Sequence, residues 1–107
     1  MAREQLQNLT EPMYYILLTL TTPRHGYDIM QTVSDLTNSR VKVGAGTLYS
    51  LLSRFEKEKV ILQVSDDGRR KTYTITDKGR EILGSEYTRL QILVTHGRTF
   101  LEADGDE

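Results

Sequence analysis

Two short alternating segments separated by a tight-turn sequence constrain the fold of this chain more than any other feature. The segments "ILQVS" and "KTYTIT" are rich in β-branched residues and flank "DDGRR". Asp67-Gly68 suits the positive φ angles of a hairpin turn, and alternating runs on either side of such a turn pair with each other. We therefore predict a β-hairpin in this part of the chain. The other periodic segments have the spacing of helices.

Three helical segments precede the hairpin. The first begins at Thr10, a capping residue followed by Pro12 in the first turn, and ends before Pro23. The second starts after Gly26 and is amphipathic. Its buried face consists of either Tyr27, Met30, Val33 and Leu36 or Ile29, Val33 and Leu36. The third lies in "AGTLYSLLSRFEKEKV", where the core side comprises Leu48, Leu51, Leu52, Phe55 and Val60.

A long fourth helix follows the hairpin. Thr76 is its predicted N-cap, and Asp77 places an acid in the first turn, where the helix dipole favours it. We predict a winged helix-turn-helix domain over residues 1–76, a dimerisation helix over 77–101 and a disordered acidic tail over 102–107. We also expect residues 1–9 to be frayed.

Three short helices followed by a β-hairpin are the pattern of a winged helix-turn-helix. The predicted fold class is therefore mainly α with a small β-hairpin (α+β), extended by the long C-terminal helix. In this fold the third helix can lie in the major groove of DNA while the hairpin, or wing, reaches an adjacent groove. The order of the elements indicates a DNA-binding protein.

The distribution of charge supports this interpretation. The net charge is only −1, but the segment from Arg40 to Lys71 holds eight basic residues against four acidic ones. The remainder holds six against eleven. A basic middle between acidic flanks fits a surface that faces a polyanion, and the alternative is an ordinary solvated charged face.

The third helix and the wing supply the candidate DNA contacts. Steps of about 100° per residue place a polar face opposite the core leucines. This face contains Thr47, Ser50, Arg54 and Lys57, flanked by Tyr49 and Ser53. The wing adds Arg69, Arg70 and Lys71. Hydroxyls allow close approach to DNA, arginine can bind guanine, and basic side chains bind phosphates. The alternative is that Thr47 is an N-cap and that the hydroxyls are solvated.

An apolar stripe runs along the fourth helix. Its members are spaced four and three residues apart, as in a heptad seam: Leu83, Tyr87, Leu90, Val94, Gly97 and Leu101. We expect this seam to bury against a second copy of the chain, because twofold symmetry suits a palindromic DNA site. The alternative is that the helix folds back onto its own domain.

Several other classes of protein are disfavoured. The chain has no cysteine, which excludes disulfides and thiolate metal sites. His25 and His96 are too isolated to suggest a metal site or a general base, and no catalytic motif is present. We predict neither an enzyme nor a cofactor. The apolar runs are too short to cross a bilayer and the N-terminus lacks a signal sequence, so we expect a soluble, cytoplasmic protein without membrane contact.

Three segments resemble the PadR family of bacterial transcriptional regulators. They are "HGYDIMQTV", "GAGTLYSLLSRFEKEKVI" and "DGRRKTYTITDKGRE", and the resemblance extends from about Leu9 to Leu83. One departure is Ser50, where many family members have proline. The resemblance implies a homodimeric repressor of an inverted-repeat operator, in which Tyr49 contacts a phosphate and the wing arginines enter or border the minor groove. A winged-helix protein-interaction module without DNA binding is the alternative.

The resemblance also implies a ligand site. In short family members that sense planar compounds, the ligand lies between the two C-terminal helices, beside an aromatic residue at a position that matches Tyr87. Tyr14 and Tyr15 would supply further aromatic walls, and Gln91 completes the candidate set. The expected effector is a planar aromatic or cationic small molecule that releases the repressor. A packed, ligand-free seam is the alternative.

Overall fold

The computed structural model describes residues 8–102 and contains four helices and three short strands in this part of the chain. The helices are α1 (Glu11–Thr19), α2 (Gly26–Leu36), α3 (Ala45–Lys57) and α4 (Asp77–Leu101). The strands are β1 (Arg24–His25), β2 (Ile61–Asp66) and β3 (Lys71–Ile75), and they form an antiparallel sheet in the order β1-β3-β2. The predicted α+β winged helix-turn-helix with a long C-terminal helix is confirmed.

The sheet contains one strand more than the predicted hairpin. Arg24 and His25 pair with Tyr73 and Thr72 of β3, which fixes the connection between α1 and α2 to the wing. Two residues are too few to show an alternating pattern, and this strand forms only because β3 offers a free edge. Residues 40–44, in which apolar and polar side chains alternate, lie in the connection between α2 and α3.

The core lies between α1, α2 and α3 and is closed by the base of the sheet. Its fully buried side chains include Ile16, Leu17, Ile29, Leu48, Leu52 and Phe55. The first of the two faces predicted for α2 is wrong, since Tyr27 is 67% exposed and Leu36 is 58% exposed. Ile29 and Val33 of the second face are buried, but Leu36 belongs to both predicted faces, so the second face is also wrong at this residue. Because α2 begins directly after β1, the sheet sets the rotation of this helix and turns Tyr27 towards the wing.

Local hydrogen bonds define the helix starts and the wing turn. The hydroxyls of Thr10 and Thr76 accept hydrogen bonds from the amides of Met13 and Gly79, as expected for the two predicted N-caps. In the wing turn Gly68 has a φ of 90°, which favours glycine. The Asp67 carboxylate accepts hydrogen bonds from the amides of Arg69 and Arg70, and these bonds lower the pKa of Asp67.

The long helix α4 belongs to the domain at its start and leaves it further along. Leu83 is 8% exposed and is part of the core of its own chain, so we remove it from the predicted seam between two copies. From Tyr87 onwards the apolar residues of α4 are largely exposed, as at Val94 and Leu101. Glu102 caps the end of the helix. The rest of the predicted acidic tail lies outside the described residues.

Residues 1–9 were expected to be frayed, and of these only residues 8 and 9 are described. Leu9 is buried, and its amide donates a hydrogen bond to the Glu86 carboxylate of α4 at 3.3 Å. The expectation is therefore wrong for Leu9, because a contact far along the chain orders this residue.

Candidate nucleic-acid interface

Helix α3 presents its polar face to solvent. The exposed residues on this face are Thr47, Tyr49, Ser50, Ser53, Arg54 and Lys57, which is the full set predicted from the sequence. The N-cap is Gly44, which leaves the first turn without a side-chain cap. Thr47 lies inside the helix, so the alternative in which it caps α3 is wrong.

Arg54 on this face forms an ion pair with a neighbouring acid. Its Nε lies 3.2 Å from Oε2 of Glu58, the C-cap residue of α3, and the arginine side chain is about half exposed. Exposed ion pairs of this type contribute about 0.3–0.5 kcal/mol, so the pair can open readily when another anion or a base is offered. The Arg54 guanidinium is therefore not locked by this ion pair.

The wing places three cations beside its turn. Arg69, Arg70 and Lys71 are all exposed. The two acids that precede them accept backbone hydrogen bonds within the turn: Asp66 from Gly68, and Asp67 from Arg69 and Arg70. The acids thus hold the turn in shape while the three basic side chains stay at the surface.

A cavity of about 320 Å³ joins α3 to the wing. It is bordered by His25, Gly26, Tyr27, Tyr49, Arg69, Arg70, Lys71 and Tyr73. The structure thus brings Tyr49 of α3 and the three wing cations to the same cavity. Their proximity could not be derived from the sequence, in which they belong to separate elements. His25, Gly26, Tyr27 and Tyr73 were not predicted at this site. The signal that could have pointed to the first three is "HGY", one of the segments that carry the family resemblance.

A second groove lies along α4 and contains most of the predicted ligand residues. It measures about 290 Å³ and is lined by Tyr14, Tyr87, Leu90, Gln91, Val94, Thr95 and Arg98. The Gln91 amide donates a hydrogen bond to the Tyr87 hydroxyl at 3.4 Å. Burial, together with the nearby Tyr87 and Glu86, raises the pKa of Tyr14. At neutral pH this phenol is therefore an uncharged hydrogen-bonding group.

Tyr15 does not line this groove. Its ring packs edge-on against Tyr14, with the ring centroids 6.2 Å apart, and its hydroxyl accepts a hydrogen bond from Arg40. Tyr15 can thus support the position of Tyr14, but the structure does not place it in the groove wall. Arg98, which the sequence did not suggest, is a cation at the far end of the groove.

A buried carboxylate connects α4 to the segment before α1. Glu86 is 2% exposed, accepts a hydrogen bond from the Leu9 amide and forms two more with Arg89, at 2.9 and 2.6 Å. The hydrogen bonds from Arg89 are the main cause that lowers the pKa of Glu86, despite its burial. Glu86 therefore remains charged at neutral pH and fixes the direction in which α4 leaves the domain.

Replacing Glu86 by glutamine is expected to destabilise the protein by about 1 kcal/mol at neutral pH, because a charge-assisted hydrogen bond is weakened. The pKa of Glu86 is lower in the folded state than in the unfolded state, so its stabilising effect is present above the ordinary glutamate pKa and disappears as the pH falls through the folded value. Urea denaturation at several pH values should show the difference from the parent shrinking towards acid. Glu81→Gln, at an exposed position of α4, is the control. An equal loss of stability in the two variants would contradict the role assigned to the Glu86 carboxylate.

Comparison with known proteins identifies the family. Residues 16–85 match the model of the transcriptional regulator PadR-like family, which is about two thirds of the chain and includes α3, the wing and the start of α4. The chain belongs to the PadR-like family. The matched residues thus form a winged-helix domain of the type that PadR-like transcriptional regulators contain.

Two proteins of known sequence and one of known structure are similar to this PadR-like chain. An uncharacterised protein of Lysinibacillus sphaericus is 41% identical over 62% of the chain, and an uncharacterised 37.1 kDa protein in a transposon of Streptomyces fradiae is 33% identical over 79%. The chain spans less than two thirds of the length of these relatives, 64% and 24% respectively. A PadR family transcriptional regulator from Eggerthella lenta is similar in structure, with a TM-score of 0.70 and 26% identity over 88% of this chain and 80% of that one.

Within residues 8–102, no helix of the PadR-like chain combines the length and apolar character needed to span a bilayer.

Proposed function

We propose that the protein is a homodimeric repressor that binds an inverted-repeat DNA operator through α3 and the wing. The observation that carries this proposal is the continuous surface formed by the polar face of α3, the cavity and the three wing cations. Such a surface can place α3 in a major groove and the wing against the adjacent phosphates. An interaction module without DNA binding would not need this concentration of basic groups on one face.

Dimerisation through α4 would provide two such surfaces. Beyond Glu86 the helix exposes large apolar side chains, including Val94 at 57% and Leu101 at 80%. A twofold axis beside these residues would place two copies of α3 on successive half-sites of an inverted repeat. In this arrangement the protein acts in the cytoplasm, where binding to an operator blocks transcription.

Selection from a pool of random duplexes tests the DNA-binding proposal. The protein is expected to recover a common sequence with inverted symmetry, and its affinity should fall steeply as salt is raised. The upstream region of its own gene is the first natural duplex to examine. Recovery of a sequence without symmetry would contradict binding as a symmetric dimer, and binding that is indifferent to salt would contradict the assigned surface.

The groove on α4 favours regulation by a small molecule. Tyr14 and Tyr87 offer aromatic faces, and Gln91 supplies a polar group beside the Tyr87 hydroxyl. A planar aromatic molecule, neutral or cationic, could stack on these rings, and a cation gains additionally from the π face. Since the groove adjoins the exposed stripe of α4, an occupant would also touch the second copy and alter the angle between the two DNA-binding domains.

Titration with planar aromatic compounds, followed by tyrosine fluorescence, should reveal a saturable change in the wild type. Tyr87→Ala is expected to weaken the affinity for such a compound about tenfold, because one stacking contact of roughly 1 kcal/mol or more is lost. Tyr27→Ala, which removes an exposed tyrosine outside the groove, serves as the control. If a chemically broad panel produced no saturable signal, the groove would instead be filled by dimer packing.

A further inference from the structure

A series of direct contacts runs from the groove on α4 to the connection that leads into α3. Tyr14 forms part of the groove wall, and its ring packs edge-on against Tyr15, the next residue of α1. The Tyr15 hydroxyl accepts a hydrogen bond from Arg40 Nη2 at 3.3 Å. Arg40 belongs to residues 37–44, the connection between α2 and α3. These side chains therefore link the groove to the segment that precedes the helix expected to read DNA.

Arg40 holds this connection to α1 at two points. Besides Tyr15, its Nη2 atom donates a hydrogen bond to the carboxylate of Glu11, which lies one turn earlier on the same face of α1. The side chains of this ion pair are more than half exposed, at 61% for Arg40 and 51% for Glu11. Exposed pairs of this kind contribute little to stability, so the contact can open without unfolding the domain. A small shift of α1 can thus release it or form it again.

The connection carries backbone strain directly before Arg40. Asn38 and Ser39 have φ angles of 54° and 64°, in the left-handed region that residues with a side chain seldom adopt. Two backbone hydrogen bonds support this conformation, from the Ser39 amide to the Ser34 carbonyl at 2.7 Å and from the Arg40 amide to the Thr37 carbonyl at 3.0 Å. Such conformations persist only where surrounding contacts maintain them. Loss of the contacts between Arg40 and α1 removes part of that support, so the connection can relax.

The connection also sets the start of α3. Three residues separate Arg40 from Gly44, the N-cap of α3, and this N-cap makes no side-chain hydrogen bond to the helix. The position of such a helix start depends on the chain that precedes it, because no cap bond fixes it from within. Val43 lies between Arg40 and Gly44 and is buried in the core. A change at Arg40 would therefore reorient the start of α3 about Val43 without freeing the helix from the domain.

We propose that Arg40 is a positioning residue that couples the groove on α4 to α3 of the same chain. A change at Tyr14 alters the contact between Tyr15 and Arg40, and the connection then shifts the start of α3. This inference rests on the proposed function, because it requires α3 to bind DNA. It differs from a change in the angle between two copies, since it needs no partner subunit. The coupling should therefore act on a single half-site as well as on a full inverted repeat.

Substitutions in the groove test this coupling without an added ligand. Tyr14→Ala removes the ring that contacts Tyr15, and its affinity for a labelled duplex with one selected half-site is measured by fluorescence anisotropy. Binding should weaken by about three- to fivefold, the size of effect that an exposed ionic contact can transmit. Thr95→Trp, which adds an indole at the groove wall, is the second variant and should act in the same direction. The chain has no other tryptophan, so its emission reports whether the indole is shielded.

A double-mutant cycle with Arg40→Ala tests the positioning role. In the Arg40→Ala background, Tyr14→Ala should leave half-site affinity unchanged, because the link to the connection is already broken. Tyr15→Phe keeps the ring but removes the hydroxyl, so it should reduce the coupling while Arg40 retains Glu11. Lys42→Ala removes an exposed cation from the same connection and is the matched control. Its response to Tyr14→Ala should equal that of the wild type, and thermal unfolding checks that each variant is folded.

Three outcomes would overturn the proposal. An equal response to Tyr14→Ala with and without Arg40 would show that the coupling takes another route. Unchanged half-site affinity in folded Tyr14→Ala and Thr95→Trp variants would show that the groove and α3 are not coupled within one chain. A response on the full inverted repeat alone would assign the effect to the arrangement of the two copies. In these cases the wild type still binds DNA and the proposed function stands, whereas failure of the wild type to bind any duplex would overturn that function as well.

Discussion

Replacing Arg69, Arg70 and Lys71 together by alanine is expected to weaken DNA binding by roughly 100-fold or more at physiological salt, on every duplex sequence. The three side chains are exposed and adjacent, and two of them extend from a turn that Asp67 holds by backbone hydrogen bonds. Each lost phosphate contact should also reduce the slope of log affinity against log salt by about 0.9. Fluorescence anisotropy at several salt concentrations measures both quantities.

Two variants show whether this effect belongs to the wing. Arg80→Ala removes an exposed cation from α4, so its salt slope should match that of the wild type. Arg54→Ala should broaden sequence preference more than it lowers affinity for random duplexes, because Arg54 lies on the helix expected to meet base edges. A triple wing variant with the parental salt slope would show that the phosphate contacts lie elsewhere.

Features that depend on a few neighbouring residues were predictable from the sequence. The two threonine caps, Thr10 and Thr76, each require only an amide three residues further on. The wing turn at Asp67-Gly68 likewise closes on itself, with Gly68 at positive φ. Local chemistry decides these elements, so the order of the four helices and the two wing strands could be predicted, whereas β1 could not.

The rotation of α2 could not be obtained in this way. Its apolar residues fit two faces, and the choice between them depends on β1, which exists only through pairing with β3. The tertiary contact buries Ile29 and leaves Tyr27 exposed beside the wing. The prediction failed at Tyr27 because apolar spacing alone places a tyrosine on the core face, although tyrosine is only intermediate in its tendency to be buried.

The candidate site was predicted in parts. The exposed face of α3 follows from helical geometry, and the wing cations follow from their place beside the turn. The proximity of Tyr49 and the wing cations to Gly26 could not be predicted from the sequence, because it depends on how α2 packs against α3. Glu86 was missed for a related reason: the amide that its buried carboxylate accepts from belongs to Leu9, 77 residues away in the chain.

The apolar stripe of α4 leads to the second large effect. Val94→Asp is expected to convert the proposed dimer into monomers, because it places a charge among large side chains that the single chain leaves exposed on the same face of α4, including Tyr87 and Leu101. Val94 itself is 57% exposed and lies outside the core, so the DNA-binding domain should keep its fold. Analytical ultracentrifugation measures the change in mass, and thermal unfolding checks the fold.

Loss of the dimer should lower DNA affinity only because the two half-site contacts are no longer joined. Two joined half-site contacts bind more tightly than one by about 10²–10⁴-fold, so Val94→Asp should lose affinity in that range for a full inverted repeat. Its affinity for an isolated half-site should equal that of the wild type, since α3 and the wing are unchanged. Thr88→Asp adds the same charge at an exposed position outside the seam and should remain dimeric. Equal weakening on full and half-sites would instead mean that Val94→Asp damages the domain, and a Val94→Asp variant that stays dimeric would place the interface on another surface.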